Sequence, residues 1–261
     1  METGTTTRGF DPRATVDRGV EMARRTYARL DPNGNDGLGR VRVSVHGGAA
    51  SSFNRITRGV TIGTGSEKAL GPNGMFELLE TTIHEVTHKW MDSRAGFIGL
   101  VYGGQSGRLS EGLSQVMAGA AMALEGETPD ERAWGWSLLD PRGKTTPFRS
   151  ELPWGKTKHI PLSVTMDDVQ RAGLQLADQG WVHVHSGVIQ EAHRLMARDM
   201  GMESMARLTV TAARERLHPL MGFKGWATAT IETAARLHGA GSAQEAAVRR
   251  AWQGVKLLLP G

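Results

Sequence analysis

The chain has 261 residues, enough to bury a substantial core as one large domain or two lobes. Hydrophobic residues make up 39% and charged residues 22%, and the net charge of +4 is spread along the chain with no run like a nucleic-acid-binding arm. Cysteine is absent, which excludes disulfides and thiolate metal ligands, so a bound metal must be held by His, Asp or Glu.

Residues 1–14 are polar and are expected to be a flexible N-terminus. No apolar signal segment opens this chain, so the expected localisation is cytoplasmic or export by a non-signal route. The periodicity of Val16, Val20, Met22, Ala23 and Tyr27 predicts a helix over Thr15–Leu30. Asp31-Pro-Asn-Gly-Asn-Asp-Gly37 ends it; the spacing does not fit a calcium loop and reads as a tight turn. Strands are expected over Val41–Val45 and Thr57–Thr64, and Gly71–Gly74 is the turn that opens the next helix.

That helix runs through Met75–Met91 and carries His84-Glu85-Val86-Thr87-His88. Histidines four apart lie one turn above each other on one helix face. Two neutral imidazoles so placed can bind one zinc ion, and the glutamate between them can reach a water beside it. The motif also fits an ordinary amphipathic helix with a half-buried histidine, so further ligands must decide. Ser110 opens the next expected helix, Ser110–Leu124, with Glu111 in its first turn. Glu111 is either the third ligand or an acidic residue at a favourable helix end. The apolar patch Val116–Leu124 is too short to span a bilayer. Residues 126–161 read as irregular, and helices follow over Ser186–Met200, Met202–Leu217, Trp226–Leu237 and Ala243–Leu257. Before the first of these, Asp178-Gln-Gly-Trp-Val-His183 places an acid where it can orient an imidazole, or both are plain loop residues.

Taken together, His84-Glu85-Val86-Thr87-His88, Ser110-Glu111-Gly112-Leu113-Ser114 and Asp178-Gln-Gly-Trp-Val-His-Val-His-Ser-Gly187 resemble the successive signature segments of the thermolysin family of zinc metallopeptidases. The resemblance extends from about Val16 to the C-terminus and is weakest before Met75. It implies an α+β fold: a short N-terminal α/β lobe over 15–92 with a few strands and the HExxH helix, then a mostly α-helical lobe over 93–261, with the zinc cleft between them. It implies zinc ligation by His84, His88 and Glu111, with Glu85 as the general base. It also implies oxyanion stabilisation by His183, oriented by Asp178 and assisted by Tyr102. Asp92 would support the zinc helix next to His88. Val45–Gly47 and Ser52-Phe53 resemble a strand pair that walls the family's cleft, with Ser51 and Phe53 toward substrate.

The departures set further expectations. Gln115 stands where the family has an Asp beside its first zinc histidine, Trp136 where it has a substrate-clamping Arg, and Ser51 where it has an Asn. Arg132 or Arg142 could replace that Arg. Gly135 and Thr81 stand at positions lining the primed-side pocket, which puts the family's taste for a bulky apolar residue in doubt. Glu80, Asp130 and Glu131 fit acidic positions of a calcium cluster, but Met122 replaces a bridging Glu, so calcium is doubtful. The stretch before Met75 is short for the family's β-rich lobe, so this reads as a shortened, divergent member. The expected function is a zinc-dependent endopeptidase using a metal-activated water, with narrow substrate choice. The expected partner is a peptide or protein, with no nucleic acid and no membrane. The alternatives are a zinc-stabilised protein-binding module without turnover and a gluzincin aminopeptidase.

Overall fold

The computed structural model describes residues 11–31, 33, 35–48, 50–64, 74–96, 99–127, 145–149, 157–172 and 178–259. Its elements in chain order are α1 (Pro12–Leu30), β1 (Arg42–His46), β2 (Ser52–Asn54), β3 (Gly59–Gly63), α2 (Gly74–Arg94), α3 (Gly104–Leu124), β4 (Thr145–Arg149), β5 (Thr157–Pro161), α4 (Met166–Ala172), α5 (Asp178–His185), α6 (Gly187–Met200), α7 (Met202–Arg216), α8 (Phe223–His238) and α9 (Ala243–Gly254). The fold is α+β and mostly helical. Among the described residues no helix is long and apolar enough to cross a membrane.

Helix α1 starts at Pro12 rather than Thr15. Asp11 caps it by accepting from the backbone N–H groups of Arg13 and Ala14, and proline fits the first helical position because its missing N–H has no partner there. After α1, the Asp31 and Asp36 side chains accept from the backbone N–H groups of Asn33 and Leu38, and Asp36 and Asp31 also pair with Arg24 and Arg214. This is turn chemistry, as expected.

In the small sheet β3 is central, parallel to β1 and antiparallel to β2. The segments expected to form a strand pair, around His46 and around Phe53, therefore do not pair with each other; each pairs with β3. The consequence is positional: β2 bonds to β3 on one side and turns its other edge toward α2. A second, two-stranded antiparallel sheet, β4 with β5, lies within the stretch 126–161 that reads as irregular in sequence. Each strand is only five residues long and carries a proline, which hides the strand pattern.

Helix α2 buries Leu78, Leu79, Ile83, Val86, Trp90 and Met91 at helical spacing. Gly19 of α1 lets the two helices approach closely, since a Cβ there would lie 2.9 Å from the Thr82 side chain. Tyr27 stacks on Trp90, and its hydroxyl donates to Thr87 Oγ1 at 2.8 Å, while Thr87 donates in turn to the Ile83 carbonyl. Thr87, just before His88, thus fastens the motif to α1. Buried apolar side chains from Val16 to Leu257 form one continuous cluster.

Within this core His193 packs between Trp226 and Trp252, and its Nδ1–H donates to the Ile189 carbonyl at 2.8 Å. Its ring is fully buried, and burial lowers its pKa to about 4. The folded form keeps it neutral, whereas the unfolded chain protonates it near pH 6.5, so its contribution is complete above that pH and is lost on acidification toward pH 4. Between pH 6.5 and 4.5, metal-free wild type is expected to lose about 2 kcal/mol more stability than His193→Phe. Urea titrations across that range check this; parallel profiles for the two proteins would contradict it.

Candidate metal centre and cleft

Helices α2 and α3 run antiparallel. Glu80, His84 and His88 form one stripe on α2, and Gln115, Glu111 and Ser110 of α3 face it in reverse order. His84 Nε2 and His88 Nε2 lie 3.0 Å apart. Glu111 reaches both, Oε2 to His84 Nε2 and Oε1 to His88 Nε2, each at 3.3 Å. Two glycines seat α3 against its neighbours on the other side: a Cβ on Gly107 would meet Val182 of α5 at 2.7 Å, and one on Gly112 would meet Ile189 of α6 at 2.5 Å. Helix α3 begins at Gly104, not Ser110, because these glycines serve close packing rather than a loop. Glu111 is therefore inside the helix and not in its first turn, which removes the helix-end explanation for it.

Nothing but a positive charge suits this arrangement. Two imidazole nitrogens and a carboxylate point at one spot, with all three ligand atoms within 4.8 Å of one another. Burial works against a charge on His84, but the hydrogen bond and charge of Glu111 outweigh it and lift its pKa to about 9. Burial likewise opposes ionisation of Glu111, yet the charges and hydrogen bonds of the two histidines hold its carboxyl well below the usual range. A site that favours a proton this strongly favours a cation, and two nitrogens with one carboxylate are a zinc donor set.

Ser110 Oγ lies 3.0 Å from His88 Nδ1 and holds the ring in place. With Nδ1–H donating to that hydroxyl, Nε2 is left with its lone pair facing Glu111, the form that binds a metal. Ser110→Ala is expected to weaken zinc binding about tenfold or more, read by competition with a zinc indicator. An unchanged affinity would assign His88 another anchor.

On the far side of Glu111, α5 opens with Asp178, Gln179, Gly180 and Trp181, all at positive φ between 50° and 90°. Only Gly180 adopts this region freely. The turn is held by Arg108, whose Nε and Nη2 donate to the Gly180 carbonyl at 3.1 and 2.7 Å. It lets Asp178 bind His183 twice, Oδ1 to Nδ1 at 2.7 Å and Oδ2 to the backbone N–H at 3.1 Å. Burial opposes a charge on the ring, but Asp178 and Glu111 raise its pKa. His183 Nε2 then faces Glu111 Oε2 at 3.5 Å and the Tyr102 hydroxyl at 3.4 Å. Tyr102 donates to Glu111 Oε1 at 2.5 Å, and burial and the Glu111 charge push its pKa upward, so it remains a donor.

His84, Glu85, Glu111 and His183 line two cavities that meet at the ligand group. One is walled by Ser51–Ile56, His88 and Tyr102, the other by Glu80, Thr81, Gln115, Leu162, Ser186 and Gln190. Glu85 is 8% exposed, and no hydrogen bond or ion pair to a described residue engages its carboxylate. Phe53 lies along β2, and Ser51 accepts from the Gly63 N–H at 3.0 Å. Two residues expected in support have these neighbours. Asp92, on the metal helix one turn after His88, faces Arg55 Nε at 3.3 Å, and Ser110 meets His88 Nδ1. Gln115 donates to Glu80 and makes no hydrogen bond to His84. Sequence reasoning missed Ser110 as a partner of His88, and it missed Arg55 and Arg108. The paired arginine and turn carbonyl are far apart in sequence and left no pattern. Trp136, Gly135, Arg132, Arg142, Asp130 and Glu131 lie outside the described residues. Met122, at the expected calcium position, is buried in the apolar core.

Helices carrying a His-His-Glu group beside a small sheet, with an Asp-oriented histidine opposite, define a gluzincin-type metal centre. The family pattern described as "Thermolysin metallopeptidase, alpha-helical domain" matches residues 98–257. The chain belongs to the thermolysin family of metallopeptidases, whose metal is zinc. Among its relatives, Bacillolysin of Bacillus caldolyticus is 26% identical over 185 residues, which is 66% of this chain and 32% of that protein. Neutral protease B of Bacillus subtilis (strain 168) is 26% identical over 265 aligned positions, 95% of this chain and 45% of that one. The chain thus spans about a third to a half of the length of these relatives. The fold matches the precursor of protealysin, a metalloproteinase from Serratia proteamaculans, with a TM-score of 0.70 and 17% identity, covering 99% of this chain and 82% of that one.

Proposed function

We propose that the chain is a zinc-dependent endopeptidase with narrow substrate choice. The observation that carries this reading is the conjunction, around one cleft, of the His84–His88–Glu111 group, a Glu85 carboxylate that no described residue engages, and the Asp178–His183 pair. Zinc bound there would supply a Lewis acid that polarises a peptide carbonyl and makes a water more acidic. Glu85 would take the proton of the attacking water and pass it to the departing amine, which its place in both cavities permits. His183, held by Asp178 and made more basic by it, and Tyr102 would donate to the oxygen that gains negative charge. Among the described residues no strand pairs with the second edge of β2, which suits an extended peptide whose backbone can add to the sheet alongside Ser51–Asn54. The division into a lobe over 15–92 and a helical lobe over 93–261 belongs to this proposal, with the cleft between β2 and α3.

Peptides blocked at both ends test it. Cleavage that stops on chelation and returns with zinc is expected. Cleavage restricted to peptides with a free amino terminus would favour an aminopeptidase, and zinc-dependent peptide binding without any cleavage would favour a binding module.

A further inference from the structure

The arm of the cleft beyond Glu111 is a pocket of about 430 Å³, within the range of side-chain and ligand pockets. Among the described residues its wall is mostly polar: Glu80, Thr81, Gln115, Ser186 and Gln190, with Leu162 as the apolar member besides the residues of the ligand group. Two features define its chemistry. The first is Glu80. Gln115 donates to Glu80 Oε1, and among the described residues no Lys or Arg pairs with this carboxylate. The second is Gln190, which is 4% exposed. Ser186 Oγ spends its proton on the His183 carbonyl at 2.7 Å, so it must accept from Gln190 Nε2 at 3.1 Å. That fixes the amide orientation and leaves Gln190 Oε1 buried with no hydrogen-bond partner. A buried acceptor without a donor costs free energy that a ligand donor returns.

We infer that this pocket takes a basic side chain, Lys or Arg, of the substrate residue next to the scissile bond, with Glu80 as the charge partner and Gln190 Oε1 as an acceptor. This rests on the endopeptidase reading for the position of the bond, but the pocket's chemistry stands apart from turnover. An apolar side chain there would leave Gln190 unsatisfied and bury Glu80 without compensation. A cation with several N–H donors satisfies both. Glu80 and Gln190 are specificity-determining residues in this account.

The test pairs cleavage with binding. Blocked peptides differing at one position, Lys, Arg, Leu or Phe after the cleaved bond, are compared by kcat/KM. The same peptides are bound to zinc-loaded Glu85→Gln protein and followed by calorimetry. The Lys and Arg peptides are expected to lead the Leu and Phe peptides by about tenfold in both measurements, and Glu80→Gln is expected to remove most of that ratio. Gln190→Leu should also shift the ratio toward Leu, about threefold. Cleavage with a Leu or Phe preference that Glu80→Gln leaves unchanged would overturn the pocket assignment and leave the endopeptidase reading intact. Absence of cleavage together with a Lys preference in binding would overturn the turnover reading and keep the pocket.

Discussion

Replacing Glu85 by Gln is expected to lower kcat for peptide hydrolysis about a thousandfold, with zinc content and KM little changed. The size follows from position. Glu85 shares a helical turn with His84 and His88, lines both arms of the cleft, and is spared by every charged neighbour among the described residues. A carboxylate so placed can accept a proton from water and return it within the same turnover, whereas the amide can do neither. The shape of the side chain is kept, so binding of metal and peptide should persist. Steady-state kinetics with zinc analysis of both proteins check it. A variant that retains more than a tenth of wild-type kcat at full zinc occupancy would assign the base elsewhere.

Glu111→Ala is expected to weaken zinc binding by about two to three orders of magnitude. Glu111 is 4% exposed and is the common partner of His84, His88, Tyr102 and His183. Removing it leaves two imidazoles with no anion between them and takes away the field that makes the site favour a cation. The thermal stabilisation conferred by excess zinc should shrink with the lost affinity. Competition against a fluorescent zinc indicator measures the affinity directly. A Kd within threefold of wild type would place the third ligand on another residue.

Much of this centre is legible in sequence because helical periodicity alone sets the relation of His84 to His88. The pairing of Asp178 with His183 is nearly as local, since a glycine at the turn signals the left-handed backbone that brings them together. What is not legible depends on how α2 meets α3. That Ser110 meets His88 Nδ1 follows from how α3 seats against α2, while Gly107 and Gly112, which admit Val182 of α5 and Ile189 of α6, disguise the first turns of α3 as a loop. Likewise, Gln115 lies at the expected level of the stripe, but its amide N–H donates to Glu80, a carboxylate one turn before His84 that sequence alone does not mark as its partner. The order of the small sheet was hidden for a different reason. Its central strand is the last of the three in sequence, so β1 and β2 read as neighbours while β3 separates them.

The central claim is that zinc held by His84, His88 and Glu111 works with Glu85 to hydrolyse peptide bonds. Titrating zinc into chelator-stripped protein while following cleavage of a blocked peptide tests it most directly. Activity rising in proportion to zinc and levelling at one equivalent, with the Glu85→Gln protein binding the same equivalent and staying inactive, is the result expected. Cleavage that persists in the stripped protein, or that Glu85→Gln retains in full, would contradict it.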